Sequence, residues 1–269
     1  MNNNYRNFFG LKKEPFGSDI SLDDILKTTE LIDVKDRFDY VIRLGAIGLI
    51  TGEVGSGKST AIRYAAEHLH PSEYKSLYMT ASSGAIMEFY RQLIHELDIH
   101  IKTNSKAMMM RMIKKEISAL VCEKKIKVLL LVDEASLLRL EVFAELHTIC
   151  QFEKHSNPYL PIILAGQNNL IDKLSYRSSQ PLASRVVARS HLKGTDLAGM
   201  QDYLKHHLNI AGIKHNLFDQ NAITAIQQAS GGLFRKSNHL ARGALIAAAA
   251  DQAAQVNAEH VRLAATEIF

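Results

Sequence analysis

Two short stretches of the chain hold side chains that could manage phosphate chemistry. Gly52-Glu53-Val54-Gly55-Ser56-Gly57-Lys58-Ser59 satisfies the spacing G-x-x-x-x-G-K-[ST] in full. Its glycines let the backbone curl so that successive N–H groups converge on phosphate oxygens, and a helix beginning behind the loop adds its positive end. Lys58 would neutralise the outer phosphates and Ser59 would give a hydroxyl to Mg2+, with Thr60 counted among the nucleotide-binding residues. The second stretch is Asp133-Glu134, which closes the apolar run Val128 to Val132. Asp133 would hold Mg2+ through water and Glu134 would polarise the attacking water. Such a transfer needs positioning and charge neutralisation more than covalent chemistry. The blander alternatives are a chance glycine-rich turn and two acids that happen to end a strand.

These residues have to be held by a sheet. Ile47 to Thr51 is a short apolar run that leads into the glycine-rich turn, and Ser59 to Leu69 behind it is rich in helix formers. Ser76 to Met79, Val128 to Val132 and Leu160 to Ala165 are further apolar runs, the last two continuous, as strands buried on both faces are. Helical segments are expected near Val34 to Leu44, Gly84 to Leu97 and Ser105 to Cys122. Strands that alternate with helices imply parallel crossovers, so residues 1–194 read as a doubly wound α/β domain with Asp133-Glu134 at the carboxyl edge of the sheet, where open α/β folds bind ligands. Beyond Thr195 the strands disappear. Residues 196–211, 219–230, 234–252 and 257–269 read as helices, with Asn257 placed to cap the last, so 195–269 is a small all-helical lid domain.

Composition limits the remaining classes. With 46% hydrophobic and 22% charged residues the chain can bury a substantial core, and 5 Pro and 15 Gly without low-complexity tracts argue against disorder or a repeat array. No apolar run reaches the roughly 18 residues that span a bilayer, and the start is polar rather than signal-like. Cys122 and Cys150 form neither a metal pattern nor a disulfide framework, so a reducing cytoplasm is expected and no membrane partner. Histidines such as His206-His207, His147, His155, His191 and His215 have no metal-ligand spacing, which leaves Mg2+ as the one metal implied. Charge is uneven: residues 102–127 hold eight Lys or Arg against Glu116 and Glu123, a local +6 in a chain of formal charge +4. Lys102, Lys106, Arg111, Lys114 and Lys115 could neutralise DNA phosphates without reading sequence. Met108-Met109-Met110 and Met112 lie among them, and an amphipathic helix with its methionines inward and its lysines solvated is the plainer account.

With these motifs in place the chain resembles AAA+ ATPases of the ExeA-like branch, related to transposition ATPases of the MuB, TniB and TnsC kind. The resemblance rests on several segments. Tyr5-Arg6-Asn7-Phe8-Phe9-Gly10-Leu11 with Pro15-Phe16 is similar to the branch's aromatic lead-in, which in such proteins lies near the adenine pocket. The loop Gly52 to Ser59 and Asp133-Glu134-Ala135 resemble its Walker A and Walker B wording, and Leu164-Ala165-Gly166-Gln167 its sensor 1 strand. The resemblance implies that Gln167 senses the γ-phosphate. It further implies that Arg185, in Leu182-Ala183-Ser184-Arg185-Val186, is an arginine finger on a helix that reaches a neighbouring subunit, with Arg189 in reserve. Arg235, after Ser230-Gly231-Gly232, would be the lid's sensor 2. Ser136 and Asn168 depart from the family's usual His or Gln and Pro.

The resemblance implies ATP and Mg2+ as cofactors, slow hydrolysis, and a homo-oligomer as ring, spiral or filament. Its leading functional expectation is an ATP-dependent regulator of transposition that binds double-stranded DNA and presents it to a transposase. A secretion-type ATPase that energises assembly of an envelope complex is the alternative; those relatives continue into a membrane span and a wall-binding region, and this chain stops at Phe269. A scaffold that keeps ATP only as a structural ligand is the third possibility.

Overall fold

The computed structural model describes residues 4–17, 19–152 and 159–267. The chain divides into two compact units, one of Thr29–Gly52 and Lys58–Leu192, the other of residues 1–28, 53–57 and 193–269. In the second grouping the described N-terminal residues Tyr5, Phe9, Leu11 and Phe16 pack with the C-terminal helices.

The first unit is built on five strands: β1 (Ile47–Gly52), β2 (Tyr74–Thr80), β3 (Lys127–Asp133), β4 (Ile162–Gly166) and β5 (Val186–Leu192). Their order is β2-β3-β4-β1-β5 and every pairing is parallel, the doubly wound arrangement that the alternating pattern implied. Burial explains which strands were legible. β1 and β4 are buried throughout and β3 from Val128 onward, matching their unbroken apolar runs. β5 was not expected. It is an outer strand whose exposed Val187, Arg189 and His191 alternate with less exposed neighbours, so its apolar content is too thin to stand out.

Helices cover the sheet. In chain order α1 (Asn4–Phe9) belongs to the other unit, and α2 (Thr29–Leu44), α3 (Lys58–Glu67), α4 (Ile86–Glu96), α5 (Lys106–Ser118), α6 (Leu140–Ile149), α7 (Asn169–Ser175) and the single turn α8 (Gln180–Ala183) belong here. α5 buries Met109, Ile113 and Ile117, four residues apart, but Met108 is 46% exposed, so the methionines are not uniformly turned inward.

In the other unit α9 (Leu197–Ile210), α10 (Gln220–Ser230), α11 (Phe234–Ala250) and α12 (Ala258–Thr266) match the four expected helical segments. Asn257 caps α12 as expected, accepting the N–H groups of Glu259 and His260. Met200, Leu204, Phe218, Leu240 and Leu245 form the core, and Tyr5, Phe9, Leu11 and Phe16 complete it. The aromatic lead-in is therefore structural cement for the helical unit. Phe16 stacks on His207 with ring centroids 5.2 Å apart, and Tyr203 lies 4.5 Å from the same imidazole.

That buried imidazole gives the unit a pH limit. Burial, and after it the neighbouring His206, pushes the His207 pKa down from 6.5 to about 4, against an opposing pull from Asp24. The folded state thus holds the proton less well than the unfolded chain. Its stability contribution is complete above pH 6.5 and is lost as the pH falls from 6.5 to 4, a change of roughly 3 kcal/mol. Melting followed by circular dichroism is expected to show this acid decline, and His207→Leu to flatten it.

Candidate functional site

β3, β4 and β1 are neighbours in the sheet, so their carboxyl ends stand side by side. They carry Asp133-Glu134, Gln167 and Gly52 respectively, which means that the topology gathers three separately recognised motifs at one edge.

Gly52 ends β1 and Lys58 opens α3, with Ser59 exposed and Thr60 partly exposed in the first turn. Lys58 is 5% exposed and its Nζ donates to the Gly52 carbonyl at 3.0 Å, so the ammonium folds back onto the end of β1. Between them, Glu53 and Val54 are exposed at the loop's apex, and the Ser56 N–H donates to the Glu53 carbonyl. Gly55 and Gly57 adopt φ values of +85° and +97°, which L side chains rarely do, and a Cβ on Gly55 would lie 2.7 Å from the Arg235 Cβ. The Ser56 hydroxyl is buried without a hydrogen-bond partner among the described residues. A loop of forced glycines with an orphaned hydroxyl suits a phosphate-bearing ligand. The start of α11 meets the loop: the Arg235 N–H donates to the Gly55 carbonyl at 3.2 Å, while its guanidinium is exposed.

Asp133 is 4% exposed. Its Oδ1 accepts the Glu134 N–H at 2.8 Å and its Oδ2 accepts the phenol of Tyr78 at 2.9 Å. Burial, followed by the Asp133 charge, pushes the Tyr78 pKa up, so the phenol stays a donor. Glu134 sits in the left-handed region at φ +51° and ψ +32°, a conformation that costs a β-carbon-bearing residue about 1–2 kcal/mol. Its carbonyl accepts the Leu137 N–H at 2.8 Å, which locks the turn. Strain of this kind concentrates where a side chain must be aimed. A single buried carboxylate at this edge suits Mg2+, which takes most of its ligands from phosphates and water. Among the described residues no group of three His, Cys, Asp or Glu side chains could hold a metal.

Gln167 follows β4, half-buried, and its carbonyl caps α7 by accepting the Leu170 N–H. From α7, Lys173 donates to the carbonyls of Ser136 and Leu138 at 2.6 and 2.8 Å, which ties the turn after Glu134 to the helix after Gln167. Ser136, smaller than its family counterparts, is buried against Gly166, where a Cβ would lie 2.8 Å from its backbone nitrogen. Neither Tyr78 nor Lys173 was marked by any sequence signal.

Arg185 lies between α8 and β5 rather than on a helix, and Arg189 is an exposed residue of β5. Arg185 is half-buried, close enough to α6 that its charge, after burial, holds His147 below the usual imidazole value. The basic segment also resolves into two sets. Lys106 pairs with Glu145 at 2.8 Å, where Tyr90 also donates at 2.6 Å, and Lys114 donates to the Gln151 carbonyl at 2.6 Å. Lys102, Arg111 and Lys115 are exposed.

A parallel sheet in this order, with a phosphate loop after β1 and a carboxylate pair after β3, defines an AAA+ fold of the P-loop class, and such a fold implies nucleotide binding. Residues 42–174 match the family model described as AAA domain. It is 27% identical over 266 residues to General secretion pathway protein A of Aeromonas hydrophila, covering 98% of this chain and 48% of that protein. The chain thus spans about half the length of this curated relative. Among solved structures, Cdc6p from Pyrobaculum aerophilum shares the fold with a TM-score of 0.74 at 14% identity, over 94% of this chain and 70% of that one. The Aeropyrum pernix ORC1 protein in complex with DNA does so with a TM-score of 0.66 at 16% identity, over 92% and 67%.

Proposed function

We propose that this chain is a Mg2+-dependent, slow ATPase that self-assembles and grips duplex DNA in its ATP-bound state, acting as a regulator of transposition with a transposase as protein partner. The observation that supports it most is the gathering of buried Asp133, strained Glu134, Gln167 and the Lys58 loop at the ends of three adjacent strands. Bound Mg2+ would neutralise phosphate charge and order the oxygens. Lys58, held by Gly52, would neutralise the outer phosphates, and Ser59 and Asp133 would hold the metal. Glu134 orients and polarises a water, while Gln167 reports the γ-phosphate. Arg235, anchored by its backbone to Gly55, contacts nucleotide lying on the loop. Arg185, with Arg189 in reserve, completes a neighbouring copy's site, which makes assembly part of the chemistry. Neither arginine is on the helix that the family resemblance implied, and the exposed Arg189 is the freer of the two.

For DNA, Lys102, Arg111 and Lys115 are the contacts, because Lys106 and Lys114 are committed to Glu145 and Gln151. The ORC1 relative, solved in complex with DNA, supports a DNA-facing role for this fold. A second reading, a secretion-type ATPase that energises an envelope complex, is favoured by the Aeromonas protein's match along 98% of this chain.

Binding to labelled duplex DNA with ATP, ADP or no nucleotide, across a salt series, tests the choice. Binding is expected with ATP alone, indifferent to sequence, with a log–log salt slope per subunit of about −3, from three neutralised phosphates. Arg111→Gln with Lys115→Gln should flatten that slope by about 2. No DNA binding in any nucleotide state would sink the transposition reading and leave the secretion-type one.

A further inference from the structure

A carboxylate as buried as Asp133, 4% exposed, is oriented by the donors that reach it. The Glu134 N–H comes with the turn itself, whereas the Tyr78 hydroxyl comes from a different strand. Thr80 of β2 is in register with Asp133 of β3, and Tyr78 with Leu131. Paired residues of a parallel ladder share a face, as do residues two apart, so Tyr78 and Asp133 stand on the same side of the sheet. The long phenol reaches one step up the ladder to meet Oδ2.

The ring alone explains why an aromatic suits this outer strand; it does not explain the oxygen. Tyr78 is 41% exposed, and water could satisfy its hydroxyl without Asp133. Asp133, 4% exposed, has far less access to solvent. The hydrogen bond therefore serves the carboxylate.

Resting on the nucleotide reading above, we propose that Tyr78 is a positioning residue: its hydroxyl fixes the rotation of the Asp133 carboxylate that would hold the hydrated Mg2+ of a bound nucleotide. A carboxylate offers about four lone-pair sites. Tyr78 and Glu134 take one on each oxygen, which pins the plane of the group and leaves the others for metal-bound water. Partners of this kind change metal affinity by about 10–100-fold when removed. As one of two such donors, Tyr78 belongs at the lower end of that range.

Tyr78→Phe removes the oxygen and keeps the ring. Mn2+ is titrated into the protein–ADP complex and followed by electron paramagnetic resonance, and ADP affinity is measured separately in EDTA. The expected result is Mn2+ affinity lowered about 10-fold, ADP affinity in EDTA unchanged, and hydrolysis largely restored at high Mg2+. In an Asp133→Asn background Tyr78→Phe should have no further effect on Mn2+ affinity. Unchanged Mn2+ affinity in Tyr78→Phe would overturn the inference and leave the nucleotide reading standing. An equal fall in metal-free ADP affinity would also overturn it, by marking the oxygen as structural support for the whole site. A wild-type protein that binds no ADP would overturn both.

Discussion

Lys58→Ala is expected to lower ATP affinity by about 100- to 1000-fold, and to remove hydrolysis and every ATP-dependent contact with DNA along with it. The size follows from burial. The ammonium is 5% exposed and already directed by the Gly52 carbonyl at 3.0 Å, so a phosphate would meet a cation that is desolvated and aimed before the ligand arrives. Truncating one partner of such a buried, hydrogen-bonded charge pair costs about 2–5 kcal/mol, and most of that is the penalty on the charge left behind. Here that charge is the triphosphate. Calorimetric titration with ATP checks the size of the loss. A variant that binds ATP with wild-type affinity would remove Lys58 from the phosphate site.

Legibility in the sequence followed the range of the interactions involved. The loop from Gly52 to Ser59 and the pair Asp133-Glu134 are local motifs, and β1, β3 and β4 are buried on both faces, so each was readable from its own residues. β5 escaped because an outer strand with Arg189 and His191 exposed has no continuous apolar run. The aromatic lead-in was visible as Tyr5, Phe9 and Phe16, but its partners are residues such as Leu204, Phe218 and Leu245, which proximity in sequence gives no reason to choose. The basic segment misled for the same reason. Lys106 and Lys114 resemble their neighbours in charge and spacing, yet their acceptors lie 39 and 37 residues onward on and after α6. Tyr78 reaches Asp133 across 55 residues, and only the β2–β3 register brings the two onto one face. Residues of local motifs thus announce themselves, while the residues that hold them in place do not.

Glu134→Gln is expected to reduce hydrolysis by about 100- to 1000-fold while leaving ATP affinity within a factor of about 2, because an amide of the same size cannot polarise the attacking water. Nothing in the loop that holds the phosphates changes. The variant should then accumulate in its ATP-bound state, and its complexes with DNA should outlast those of the wild type. Backbone geometry makes a second substitution informative. Glu134 keeps a left-handed φ of +51° through the N–H contact with Asp133 and the carbonyl contact with Leu137. Glu134→Gly removes that strain, so it should be as inactive as Glu134→Gln yet more stable than it by about 1 kcal/mol. Single-turnover hydrolysis, nucleotide titration and denaturant unfolding on the two variants separate the side chain's chemical duty from the cost of aiming it. If Glu134→Gln turned over at the wild-type rate, water polarisation would have to come from another group. If Glu134→Gly were the less stable of the two, the left-handed turn would be a product of the surrounding contacts rather than a strain held for catalysis.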